Sequence, residues 1–399
     1  MSAGPVAAWA QEQTPSTVVN PTPPPKTEAQ PPALQPAIAV TLNANPQPSR
    51  FELGDLGPVY LTSVLSGLGQ VQSHALPSDR TRQLDVDNAQ VFLNKPNGLW
   101  QFFLQAGYYS IPVVGVPYLR TIRATPAFFT PVSQGYLKIA PTEEFSVLVG
   151  KLPTLIGAES TFSFQNMNIQ RGLLWNQENA VNRGVQVNYA AGPLTLAASV
   201  NDGFYSDRYS WVTGSASYAL DKANTFAFAA GGNTEHTGKS TTRTPLFQNN
   251  QQIYNLIYTH TEGPWTLQPY LQYTHVPKLA EFGANDSAST YGAAVLMSYD
   301  FGSGAAPAAL RLPGLKLPLR LEYIRSTGNG ARGAPNLLYG PGSAAWSVTA
   351  TPTYQNERFF VRGEFSYVGA RKMAPGAGFG PEGNRHSQVR GLLQLGVLL

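Results

Sequence analysis

Apolar and polar positions alternate strictly through residues 252–275, which read QIYNLIYTH, then TEGP, then WTLQPYLQYTH. In the second run Trp265, Leu267, Pro269, Leu271 and Tyr273 share one face, and Thr266, Gln268, Tyr270, Gln272 and Thr274 share the other. A period of two is that of a pleated strand, so the pattern predicts a hairpin turning through residues 261–264. Rings stand at both ends of the apolar face with leucines between them. From Trp265 to Tyr273 a strand runs roughly 26 Å, or about 19 Å across a bilayer when tilted by ~45°. That is close to the lipid-facing band of an outer-membrane barrel between its two aromatic girdles.

Further alternating runs lie at 59–72, 84–93, 100–109, 133–140, 145–151, 184–189, 194–201, 209–219, 225–232, 291–301, 317–326, 346–354, 359–368 and 388–399. With the hairpin they predict about 16 strands. The frame of the second run slips near Asn88, as a bulge would make it slip. Pro269 and Pro352 each remove a ladder hydrogen bond, and a local bulge is expected at both. Short links (94–98, 141–144, 190–193, 220–224, 261–264, 355–357) alternate with longer ones, of which 152–182 is the longest. The Pro/Gly-rich 302–316 link breaks the rhythm on the short-turn side. Short turns at one end and long loops at the other predict an all-β, transmembrane, antiparallel up-and-down β-barrel rather than a soluble sandwich.

Composition agrees with that reading. Only 13% of residues are charged and 42% are hydrophobic, while mean hydropathy is −0.17. No run of eighteen apolar residues occurs, so no transmembrane helix is available. The chain has no cysteine, which suits an oxidising periplasm. A net charge of +4 without a basic cluster excludes nucleic acid as an obvious partner.

Residues 7–11, A-A-W-A-Q, form a signal-peptidase site without the rest of a signal, so residues 1–10 read as the remnant of a longer signal peptide. Residues 11–56 read as a Pro-rich, disordered periplasmic arm, and 57–399 as the barrel. Such an arm either reaches a periplasmic or cell-wall partner or serves as a spacer.

Three segments carry a family likeness: GKLPTLIGAE at 150–159, NRGVQV at 182–187 and VNDG at 200–203. They resemble the OmpL-like outer-membrane porin family, and the similarity runs over roughly residues 60–399. It implies a diffusion channel for small solutes in the outer membrane of a Gram-negative bacterium. Many outer-membrane barrels end in an aromatic residue, whereas this chain ends Val397-Leu398-Leu399.

Charge at bilayer depth must face water or a partner, so Arg320, Glu322, Arg362, Glu364 and Arg390, with Asp300 nearby, mark the lumen. They either set a transverse field that orients solutes or brace the wall as internal ion pairs. Three basic against three acidic groups give no firm selectivity, and the net positive charge tilts the expectation toward anions. The long link offers Glu159, Arg171, Trp175 and Glu178, with Arg183 at its end, as candidates for a loop that folds in and constricts the pore. The same loop could instead cap the outside. No catalytic or metal-binding set appears, and no cofactor is implied. The five histidines are scattered, and His236 beside Glu235 and His386 beside Ser387 are chance neighbours. The leading function is a passive channel for small polar solutes. The runner-up is a blocked scaffold barrel whose arm docks a partner, and a surface hydrolase comes third.

Overall fold

The computed structural model describes residues 41–399. The expected cleavage site and most of the expected arm therefore lie outside the described residues. Sixteen staves, each antiparallel to the next, follow one another around a closed wall. They are β1 (Pro58–Gln72), β2 (Arg82–Lys95), β3 (Trp100–Tyr109), β4 (Val132–Ile139), β5 (Phe145–Pro153), β6 (Val181–Ala191), β7 (Leu194–Asn201) and β8 (Trp211–Ala219). The wall continues with β9 (Asn224–Asn233), β10 (Gln252–Glu262), β11 (Trp265–Val276), β12 (Ala288–Asp300) and β13 (Leu315–Ser326). It ends with β14 (Ala344–Ala350 and Thr353–Asn356), β15 (Phe359–Arg371) and β16 (Ser387–Leu398). Closure comes from β16 pairing with β1, from Arg390 opposite Gln72 to Leu398 opposite Val64. Lipid supplies no hydrogen bonds, and closure leaves no stave with an open edge.

Burial in this wall is inverted relative to a soluble protein. Leu271 is 56% exposed while its neighbour Gln272 is 4% exposed. Outward rings gather in two rows. Trp265 and Tyr299 pack edge to face at 4.7 Å near the short turns. Tyr254 stacks on Tyr273, and Tyr291 packs tilted against Tyr273, near the long loops.

The bulge expected near Asn88 is present: Ser66 faces Asn88 but Gly67 faces Val86, leaving Asp87 as the extra residue. The bulges expected at the two prolines are absent. At Pro352 the stave is interrupted, yet Ala350 faces Leu319 and Thr353 faces Lys316, so the register is unchanged. At Pro269 the pairing with β10 resumes in the same register, from Ile257 opposite Tyr270 to His260 opposite Leu267. A missing donor opens the ladder locally, and no inserted residue is needed to accommodate it.

The last part of the expected arm is also built differently from expectation. Ser49–Glu52 pairs with the start of β1, Ser49 opposite Leu61. It takes over the edge of β1 just where β16 runs out, satisfying backbone groups that would otherwise be unpaired. Leu42 is buried in an apolar cluster with Val64, Phe360 and Leu398. Beside it the Asn43 backbone exchanges hydrogen bonds with the Gln355 side chain, at 2.7 and 2.9 Å.

Candidate functional site

The connection between β5 and β6, residues 154–180, folds into the lumen, and its side chains are largely buried there. The inward charges of the wall hold it. The Arg320 guanidinium donates to Glu159 Oε1 at 2.6 Å and to the Gln170 carbonyl at 2.7 Å, and lies 3.1 Å from Glu322. Glu322 accepts from the Leu174 amide at 3.3 Å and from Ser347 at 2.6 Å. The Arg362 guanidinium donates to the carbonyls of Ser163, Asn166 and Met167 at 3.0, 2.9 and 2.7 Å. Glu364 accepts from the amides of Ile169 and Gln170 at 2.5 and 3.1 Å and from the Gln170 side chain at 3.0 Å. Arg390 reaches the carbonyls of Val113 and Val116, at 2.7 and 2.5 Å, which belong to the neighbouring long loop. Charge-assisted bonds of this kind are the strong ones, and none of these groups is left without a partner.

Two glycines make the close approach possible. A side chain at Gly172 would collide with the Glu322 carboxylate, and one at Gly157 with that of Glu178. Within the loops Arg171 donates to the Thr161 carbonyl at 2.9 Å and to Pro112 at 3.2 Å, and also bonds the Ile169 carbonyl. It ties the two loops together, and burial lowers its pKa to about 10. Among the described residues Glu178 has no basic partner. Burial, and then the charges of Glu159 and Glu322, push its carboxyl well above the ordinary range. Among the described residues its one hydrogen bond is from the Tyr270 hydroxyl, at 3.5 Å.

Five of the six expected lumen groups thus converge on the loops rather than on open water. Asp300 stays apart at the short-turn mouth, 3.9 Å from Lys316. Glu159 and Arg171 sit inside the lumen as expected of a folded-in loop, and Trp175 packs against the Phe162 and Phe164 cluster. Arg183 does not belong with them. It lies on β6 in the outward file of Val185 and Val187, where it pairs with Asp202 at 2.6 Å and stacks over Tyr205 at 4.0 Å. The β6 strand starts at Val181, two residues earlier than Arg183, so the side chain obeys strand alternation and leaves the loop.

The alternation overlooked Asp87, whose buried carboxylate accepts from Ser66, Ser163 and Gln394. The frame slip near Asn88 was its signal, because the bulge turns that extra residue inward. Gln170, which bridges Glu364 and Arg390, carried no signal at all. Among the described residues no cluster of His, Asp or Glu could hold a metal ion.

A family model described as "Putative beta-barrel porin-2, OmpL-like" matches residues 66–399. No curated protein matches the chain. Among solved structures the chain is similar to the anion-selective porin from Comamonas acidovorans, with 9% identity over 86% of this chain and 99% of that one and a TM-score of 0.57. It is also similar to OmpT of Vibrio cholerae, at 12% identity over 87% and 99% with a TM-score of 0.56. The outer-membrane channel DcaP of Acinetobacter baumannii aligns at 11% identity over 86% and 97%, also with a TM-score of 0.56. At such identities the likeness concerns the fold.

Proposed function

The chain belongs to the β-barrel porin-2, OmpL-like family of Gram-negative outer membranes, and from that premise we propose that it is a loop-constricted channel for passive diffusion of small polar solutes. Solutes move down their gradient without energy input or covalent chemistry. The observation that carries this reading is the 154–180 loop inside a closed sixteen-stave wall. Sixteen staves enclose far more space than side chains alone fill, so the loop sets the cut-off. A loop that only capped the outside would have no reason to present its backbone to Arg320, Arg362 and Glu364.

Reconstitution in planar bilayers tests the proposal. The folded protein is expected to give discrete conductance steps, and liposomes containing it are expected to swell in small sugars but not in large ones. A folded, inserted protein that gives neither would end the channel reading.

One observation favours a second reading, a scaffold barrel with a closed lumen. The wall arginines Arg320, Arg362 and Arg390 are almost wholly buried. In that case conductance stays absent, and the Pro-rich arm is what a periplasmic or cell-wall partner binds. Pull-downs with and without residues 11–40 separate the two, because only the scaffold loses a partner on deletion.

A further inference from the structure

The lumen wall is unequal around its circumference. From β12 through β16 and on to β2, the inward side chains of the mid-wall are buried against the loops, and nearly all the clamping charges lie there. On β6 to β9 the inward positions carry no charge, and in the lower half Asn188, Thr195, Ser215, Ser217, Thr225 and Ala227 are part-exposed, with Gln186 and Ala197 buried among them. Three of them form a continuous row, since Thr195 faces Ser217 and Ser217 faces Ala227 across the ladder. This surface opens toward the short turns. Higher up, Ser199 and Thr213 on the same staves are buried, beneath a cluster of Ile156, Phe204, Trp211, Ala229 and Ile253.

Several of the unmet polar atoms among the described residues, which occur around the whole wall, belong to residues near that cluster. The side chain of Asn249, whose backbone carbonyl accepts from the Trp211 indole at 2.9 Å, has no partner. Gln177 Oε1, Gln251 Oε1 and Glu178 Oε2 are also buried without partners. Buried polar atoms of this kind are normally satisfied by water or by a ligand.

We propose that the route through the molecule runs along the β6–β9 arc, and that its solutes are uncharged and rich in hydroxyl or amide groups. The Ile156, Phe204 and Trp211 cluster is the gate that parts to admit them. This rests on the channel reading above. The net positive charge of the chain does not reach this arc, because the lumenal arginines face the loops from other staves. Serine, threonine and asparagine both donate and accept, which suits a neutral polar solute. An ion would leave water with no inward-facing counter-charge beside it along these staves.

The cysteine-free chain allows a direct test. Ser217→Cys and Thr225→Cys are compared with Ser298→Cys and Ala345→Cys, which face inward on β12 and β14 and are buried. A membrane-impermeant methanethiosulfonate is added from the short-turn side, with mass spectrometry reading the label and bilayer current reading the block. Labelling and block at Ser217 and Thr225, with neither at the two controls, is the expected result. Liposomes are expected to swell faster in glucose than in gluconate, and Trp211→Ala to raise the current. Labelling at the controls but not at Ser217 and Thr225, or faster swelling in gluconate, would overturn the proposal. The two readings fail differently. A native protein without current ends the channel reading, whereas a conducting protein whose Ser217→Cys and Thr225→Cys variants stay unlabelled refutes only the route.

Discussion

The arc from β13 to β16 and the arc from β6 to β9 belong to the same cylinder and follow the same alternation, yet they treat the lumen in opposite ways. The first presents Arg320, Glu322, Arg362, Glu364 and Arg390 to the loops and holds them. The second presents serine, threonine, alanine and asparagine and holds nothing across much of its lower half. A porin-like wall therefore divides its labour. Charges in the lumen anchor a folded-in loop on one side, and a plain polar surface is left on the other. Charge inside a barrel is thus not by itself a selectivity filter, because a buried guanidinium that already donates to loop carbonyls and to neighbouring side chains has little left for a solute.

The largest effect should come from breaking the anchored side. Arg320→Ala leaves Glu159 and Glu322 buried without their cation, a loss of about 3–5 kcal/mol for comparable pairs. The 154–180 loop should then undock, seen as larger and noisier conductance steps and as protease cleavage within the loop. Ser215→Ala on the plain arc should leave the loop resistant to protease. A quiet Arg320→Ala channel would mean that the clamp is ornamental.

Next in size is the response to a new charge. Ser217→Arg should be tolerated, because the side chain meets water. Its neighbour Ala216→Arg, on the lipid side of the same stave, should cost up to about 2–4 kcal/mol in urea unfolding from liposomes. Ala345→Arg on the anchored arc should be rejected as well, this time for lack of room. Equal tolerance at 217 and 345 would erase the distinction between the arcs.

A smaller, graded effect is expected from pH. The Glu178 carboxyl is raised in the docked loop by burial and by its acidic neighbours. Docking is therefore at full strength below the ordinary carboxylate pKa of about 4.3 and weakens as pH rises through the docked value, each tenfold difference in proton affinity being worth about 1.4 kcal/mol. Conductance should rise with pH, and Glu178→Gln should flatten the profile at its low-conductance end. A profile that falls with pH would place the sensitive group elsewhere.

The smallest effect on the barrel should come from the arm. Leu42→Asp puts a charge into the apolar cluster with Val64, Phe360 and Leu398. It should free residues 41–48 to proteases while leaving the heat-modifiable band of the barrel unchanged. A shift of that band would show that the arm braces the wall.

Much of this was legible from alternation alone. The sixteen runs, the two faces of the 252–275 hairpin, the slip near Asn88 and the inward setting of the lumen charges all follow from a period of two. Arg183 shows the limit: it was counted with the loop because the strand's start lay earlier than the alternation suggested. Glu159 and Arg320 show a deeper one. They stand 161 positions apart, and nothing local in either segment announces the other.

Alternation records which solvent each side chain meets, and a bilayer outside with water inside imposes that choice residue by residue. Stave number, facing and closure are therefore written along the chain. Which inward groups touch one another is set by the register around a closed circumference and by how a long loop fills what remains, and both come into being only once the last stave pairs with the first. That is why the wall could be read in order, while the clamp and the open arc opposite it belong to the tertiary structure.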